Sequence, residues 1–443
     1  MKTHHRHLGS WGRLPRPRSF ILDPASEAEL LERLATDPVP LIARGLGRSY
    51  GDACTGDRLL LTRCLNAPLR LDSASGVLSA GAGHSLGEIL NQTLPQGWAP
   101  AVLPGTRHVT LGGAVSADVH GKNHHVDGSF CRWVQALRVA APDGTAGWCS
   151  REENPGQFSA CCGGMGLAGL ILEVRLQLVR RDTVTFQRLT LACENLEQAL
   201  LRLREATQSH TVAWVDAASP GAKLGRCLVY LGDPVAGPHR ELPRPARLKL
   251  PPLSFFNLVR PAASRAFNQL VWRGGQRRHG VADLQALDSF FWPLDAVDGW
   301  NHLYGHAGFL QFQCLLPVAL LDERGAGPLH QLLELFATVG GGTLAVMKTM
   351  GEAGRDVSPL AFPGPGATLA LDLPASAETR KAVRQANRLV LDWGGRIYLA
   401  KDALLSAAEY RAMTPGLAGW QELRDTLDPQ RRWQSDLARR LEL

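Results

Sequence analysis

The stretch HGKNHH, His120–His125, gathers three imidazoles, an ammonium and a carboxamide around one glycine. It closes a run of small residues, LPGTRHVTLGGAVSADV. Such a cluster suits a metal, a phosphate or a redox ring. A metal needs ligands on one face, commonly with a carboxylate nearby. On a strand, Asp118 and His120 would point the same way. Lys122, two residues on, would repel a divalent cation, and the adjacent His124 and His125 cannot both face inward. A metal is therefore the minor alternative, and no metal ligand is assigned.

A second feature, GLGRSYG, is a tight turn that misses the dinucleotide fingerprint by one residue. Gly45 and Gly47 fit, but the third glycine, Gly51, arrives late. No phosphate-loop motif of the G-x-x-x-x-G-K-[ST] kind occurs. A glycine turn after a strand still offers backbone N–H groups in a concave nest for an anion. Gly105, Gly112 and Gly113 let backbone approach a bulky ligand. Two long glycine turns, each followed by a polar cluster, point to a large phosphate-bearing cofactor.

These residues need a scaffold, and 443 residues suffice for two or three domains. Hydrophobic residues make up 45% and charged residues 20%, an ordinary globular balance. The net charge of +7 suits an anionic partner, but no basic and aromatic run forms a nucleic-acid groove. Nine cysteines without regular spacing exclude a disulfide framework and a zinc ribbon, and read as buried free thiols. No apolar h-region marks a signal peptide, and no apolar stretch is long enough to span a bilayer. His4, His5 and His7 lie on an end expected to be floppy and carry no assigned function.

The first part alternates helix and strand. SEAELLERLA and SLGEIL each begin with a capping box, Ser26 with Glu29 and Ser85 with Glu88. PLIAR, VLSAGAG and GLAGLILEVRLQLVRR read as strands, and Asp143-Gly144 turns a hairpin. From about residue 183, TVTFQRLTL, HTVAWVDAA and RCLVYLGD are strands and ENLEQALLRLREAT is an amphipathic helix. The segment 241–262 has too many prolines for a helix or a central strand and reads as an exposed loop. GFLQFQCLLP, GGTLAVMKTMG and GATLALDLP look like strands of one sheet, and the tail is a strand followed by short helices.

ARGLGRSYGD, LPGTRHVTLGGAVSADVHGKNHHVDGSF, GGMGLAGLIL, GFLQFQ and GGRIYLAKD, in this order, resemble the FAD-dependent oxidases of the vanillyl-alcohol-oxidase type. Within that family they look like the oxidase subunits of decaprenylphosphoryl-β-D-ribose 2′-epimerases. The resemblance covers nearly the whole chain. It implies an α+β fold: a two-part FAD-binding domain, residues 1–184 and 396–443, and an inserted substrate domain, 185–395, built on an antiparallel sheet.

The resemblance also implies roles. Ala43, Arg44, Gly45, Leu46, Gly47, Arg48, Ser49, Tyr50, Gly51 and Asp52 would hold the FAD pyrophosphate, with Gly105, Thr110, Leu111, Gly112 and Gly113. Ala117, Asp118, Val119 and His120 would run beside the isoalloxazine, and Ile171 and Tyr398 would complete the pocket. Lys122, Gln313, Lys348 and Lys401 would line the substrate site. Lys401 would be the principal catalytic residue, with His120 and Tyr50 as further candidates. Related oxidases often attach their flavin to a histidine before the serine of the first glycine turn. Here that position is Arg48, so FAD should be non-covalent. Tyr398 and Lys401 are three apart, so both can reach the flavin only if the chain bends between them.

The implied reaction moves a hydride from a secondary alcohol to flavin while a base takes the hydroxyl proton. The implied substrate is a polyprenyl-phosphoryl pentose oxidised at its 2′-hydroxyl to a keto sugar, the first half of an epimerisation. A separate NADH-dependent reductase would complete it. The lipid-linked substrate implies peripheral contact with the inner membrane, on a face the sequence does not fix. Phe255, Phe256 and Leu258 beside Arg260 could make that contact. Two positions depart from the family pattern. Thr368 and Ala370 stand where its mycobacterial members carry asparagine and cysteine, so covalent attack on a thiol there is not expected, and the exact sugar is left open. Two rivals remain: an FAD oxidase of a soluble polyol or aldonolactone, and a flavoprotein that binds a polyprenyl phosphate without turnover.

Overall fold

The computed structural model describes residues 2–235, 248–250, 259–352 and 357–443. Among them, short parallel strands come first. Ile42–Arg44 and Arg18–Asp23 flank Arg58–Leu61, and Lys2–His7 adds an antiparallel edge. The N-terminal histidines are thus strand residues rather than a floppy end. Backbone pairing with Arg18–Asp23 holds them, and the His5 ring packs edge-on against Phe20 at 5.3 Å. A second sheet runs Arg70–Asp72, Val77–Gly81, Leu170–Arg180, Val134–Ala140, Ala146–Ser150. Its last two strands are the hairpin turned at Asp143-Gly144.

The third sheet is antiparallel and has eight strands. Its order is Ala282–Ala286, Thr185–Cys193, Cys227–Pro234, His210–Val215, Ala345–Met350, Gly366–Pro374, Phe309–Pro317, Arg396–Ile397. Its period-2 pattern sorts two faces. Leu310, Phe312, Cys314 and Leu316 are buried with Ala367, Leu369, Leu371 and Leu373 in the main core. The helices Gly327–Ala337 and Ala377–Asp392 complete that core, and Phe312 meets Phe336 at 5.0 Å. Each leucine or phenylalanine among them contributes about 1.5–3 kcal/mol by leaving water. The residues between them, Gln311, Gln313, Thr368, Ala370 and Lys348, face the other way, toward the glycine turns.

Both helix starts are capped as expected, with one difference. Ser85 and Glu88 exchange both bonds. Ser26 accepts from the Glu29 N–H, but the Glu29 carboxylate reaches back to Ala25 N rather than Ser26 N. Of the proline-rich segment, Phe255, Phe256 and Leu258 lie outside the described residues. Its end is helical: Pro261 opens the helix Pro261–Gln276, at a first-turn position where its missing N–H costs nothing.

Candidate active site

The third sheet and the glycine turns enclose a cavity of about 680 Å³. One wall is formed by Ala43, Gly45–Tyr50, Gly105, Thr110, Gly112, Gly113, Ala117, Val119 and His120, with Ile171 and Tyr398. The opposite wall is the sheet face of Gln311, Gln313, Lys348, Thr368 and Ala370. Lys122 and Lys401 also reach the cavity.

Of the residues expected at the cofactor, Arg44, Gly51, Asp52, Leu111 and Asp118 do not face this cavity. Each holds the wall from behind. The Arg44 guanidinium donates to Cys54 O and Gly9 O, both at 2.7 Å, and so fixes the turn. Gly51 abuts the Asp402 backbone. Asp52 binds Arg440 through both oxygens at 2.7 Å. Leu111 is core. Asp118 sits at φ +39°, buried, accepting from Cys131 N at 2.9 Å, with its carboxyl pushed up by burial.

The residues present fit FAD. Gly47 takes φ +63°, and a Cβ at Gly45 would lie 2.3 Å from Thr110 Oγ1, so the turn is held open by glycine. Arg48 stacks over Trp11 at 3.9 Å and lines the cavity, yet its buried Nε has no partner among the described residues. A guanidinium left with a spare donor beside a glycine nest suits a phosphate.

In the same cavity, His120 is held on both ring nitrogens. Lys348 Nζ lies 2.9 Å from Nδ1, and Gln313 Nε2 lies 3.1 Å from Nε2. Lys348 also donates to Gly121 O at 3.1 Å, and Gln313 donates to Thr368 Oγ1 at 2.9 Å. Tyr398 donates to Ala117 O at 2.7 Å. Burial, with Lys348 beside it, holds the imidazole well below its usual range, so it is neutral. Burial also lowers Lys348 and Lys122 to about 7 and Lys401 to about 8.

Lys122 is tied to Phe290 O and lies 4.5 Å from the Phe290 ring. Lys401 Nζ stands 5.2 Å from the Tyr50 ring, brought there by a tight turn, Leu399–Lys401, that supplies the expected bend. Burial raises the Tyr50 phenol far above its ordinary value, which leaves it protonated.

Two residues of the site were not anticipated from the sequence. Gln311 lines the cavity and donates to Asp372, which is 1% exposed and raised by burial to about 7. The signal was alternation: Gln311 with Gln313, and Thr368, Ala370 with Asp372, are two apart on paired strands and so share a face. The aromatic run Phe290, Phe291, Trp292 was also missed. Its first two rings line the cavity, and Trp292 Nε1 donates to Pro104 O at 2.7 Å.

Residues 19–150 match a family described as an FAD binding domain. The chain is 33% identical to decaprenylphosphoryl-beta-D-ribose oxidase of Mycolicibacterium smegmatis, over 100% of this chain and 98% of that one. It is 34% identical to an uncharacterised protein of Streptomyces coelicolor, over 81% of this chain and 99% of that one. Cytokinin dehydrogenase 6 of Oryza sativa matches more locally, at 28% identity over 38% of this chain and 37% of its own length.

Proposed function

The chain belongs to the decaprenylphosphoryl-β-D-ribose oxidase family of FAD-dependent oxidoreductases acting on CH–OH groups, and from that premise we propose that it oxidises the 2′-hydroxyl of a polyprenyl-phosphoryl pentose. The observation that carries this is a single cavity. Arg48 and the glycine turns line it together with Lys122, Lys348, Lys401 and a neutral His120, with Lys401 beside Tyr50 of the first turn.

Bound FAD supplies the acceptor for the hydride that leaves the carbinol carbon. The three lysines suit a phosphodiester and the negative charge that develops as the alcohol is oxidised. Lys401 orients the reacting hydroxyl. Gln313 and Lys348 fix the His120 ring in one plane, where a neutral imidazole can take or pass a proton. Thr368 and Ala370 shape the wall against which the sugar rests. The cofactor is held without a covalent bond, because Arg48 occupies the attachment position.

In this reading the FAD-binding part comprises 1–184 and 396–443, and the segment 185–395 carries the substrate. It is supported by the glycine turns standing on the first two sheets and the lysine-bearing face on the third. A separate NADH-dependent reductase consumes the keto product. The protein meets the membrane peripherally; no helix among the described residues is long and apolar enough to cross one.

Anaerobic titration tests the reading. Bleaching of the flavin absorbance by a lipid-linked pentose supports it. Bleaching by free polyols or aldonolactones alone would assign a soluble-substrate oxidase. No bleaching by any of them would leave a binding protein.

A further inference from the structure

The helix Pro261–Gln276 buries one stripe, Ser264, Asn268, Trp272 and Gly275, against the third sheet. Trp272 packs there with Trp214 and Leu228. One edge of the helix, Phe267 and Val271, joins Trp214, Tyr230 and Val346 in the apolar part of the cavity wall. Its outer face is unusual. Leu270 is 69% exposed and does not line the cavity, and Phe267 is 50% exposed. Ala263 and Ala266 share the helix face of Leu270, and Arg273 and Arg277 extend it. Between Pro261 and Gly280 there are four arginines, 265, 273, 277 and 278, and no aspartate or glutamate.

We propose that this outer face docks the protein on an anionic lipid surface, with Leu270 and Phe267 entering the acyl boundary and Arg273 and Arg277 meeting headgroups. A helix with apolar, small and basic residues on its solvent side, lying parallel to a surface, is how peripheral proteins bind such bilayers. The apolar end of the cavity borders this same helix. A lipid-linked substrate could therefore keep its chain in the bilayer while its sugar phosphate reaches the lysines. The inference rests on the lipid-linked substrate proposed above and adds the face by which it is reached.

The test is sedimentation of the full-length, FAD-loaded protein with vesicles of pure phosphatidylcholine, or with about a third phosphatidylglycerol. The wild type should favour the anionic vesicles at least about tenfold and be released by high salt. Leu270→Asp, and Arg273→Glu with Arg277→Glu, should each weaken binding about tenfold or more. Leu201→Asp, at a 52% exposed site on the helix Leu196–Arg204, should bind as wild type.

All variants should keep the flavin spectrum and be reduced by substrate delivered in detergent. Wild-type binding by both helix variants, or a wild type indifferent to anionic lipid, would overturn the proposal. A protein partner would then be the better occupant of this face. If vesicle binding behaves as expected but the lipid-linked pentose in detergent does not bleach the flavin, the docking face stands and the substrate assignment falls.

Discussion

Lys348 Nζ and His120 Nδ1 lie 2.9 Å apart with one proton to share. If Lys348 donates as an ammonium, Nδ1 accepts, and the ring proton must sit on Nε2 and face the Gln313 amide oxygen. If Lys348 is neutral, its amine can accept from Nδ1–H, leaving Gln313 to donate to Nε2, or the amine can still donate to Nδ1 as the ammonium does. The tautomer of His120 and the orientation of the Gln313 amide are thus set together.

This yields a stability prediction. Burial lowers Lys348 from 10.5 to about 7, so between those values the folded protein binds fewer protons than the unfolded chain. The cost is complete below pH 7 and is relieved as pH rises toward 10.5. Lys348→Met should therefore raise the unfolding midpoint by about 2 °C or more at pH 6. The gain should shrink steadily toward pH 10. Removing Lys348 also relieves its repulsion with Lys401 and Lys122, which acts in the same direction. The variant should keep FAD and lose flavin reduction about a hundredfold. A gain independent of pH would show that Lys348 keeps its ordinary proton affinity in the folded protein and that its burial carries no charge penalty.

Lys401 offers a kinetic prediction. Its turn sets Nζ beside Tyr50, where burial lowers its pKa to about 8. Lys401→Ala should retain FAD and slow the reductive half-reaction about a hundredfold to a thousandfold, since the charge matters chiefly as the alcohol loses its hydride. Lys401→Arg should recover little, because a planar guanidinium does not occupy the same space. Stopped-flow bleaching measures both. Near-normal rates in the alanine variant would show that Lys401 is not catalytic and leave His120, whose imidazole is neutral, ahead of Tyr50, whose phenol is held protonated.

Much of this site was legible because its chemistry is local. The glycine turns and HGKNHH are contiguous, and YLAKD carries its own bend. Thr368 and Ala370 were visible as departures from the family pattern, and the resemblance placed Gln313 at the substrate site. The Gln311–Asp372 pair was not foreseen, since it depends on which residue of one strand stands opposite which of the other. Register is a tertiary property. The bond from Trp292 to Pro104 joins residues 188 positions apart, and nothing periodic announces it. The N-terminal histidines misled because an edge strand is held by backbone pairing that composition does not reveal.

Arg48 sets the expected attachment of the flavin. A guanidinium cannot form the bond that a histidine makes to the isoalloxazine, and its Nε, without a partner among the described residues, is placed for a phosphate. Acid precipitation should leave a colourless pellet and a yellow supernatant. Arg48→Ala should fold, since Arg48 lines a cavity rather than the core, but release FAD on desalting. A yellow pellet would contradict the non-covalent assignment.

The last prediction concerns the joint between the first glycine turn and the C-terminal segment. Tyr50 N donates to Ala400 O at 2.8 Å, and Arg440 holds both Asp52, at 2.7 Å, and Asp402, at 2.8 Å. Between these ties Gly51 passes so close that a Cβ would sit 1.5 Å from Asp402 O. Backbone on both sides leaves nothing soft to move. Gly51→Ala must therefore drive the two segments apart, and with them Tyr50 from Lys401. The expected cost is at least about 4 kcal/mol, the range of severe core changes, with little soluble FAD-loaded protein recovered. Gly105→Ala is the control: it is also a glycine of the cavity wall, but nothing lies within 4 Å of its added methyl. That variant should unfold within about 2 °C of wild type, with any effect confined to FAD affinity. A Gly51→Ala protein with a wild-type midpoint would show that the two segments are not clamped at this point, and the placement of Lys401 beside Tyr50 would need another cause.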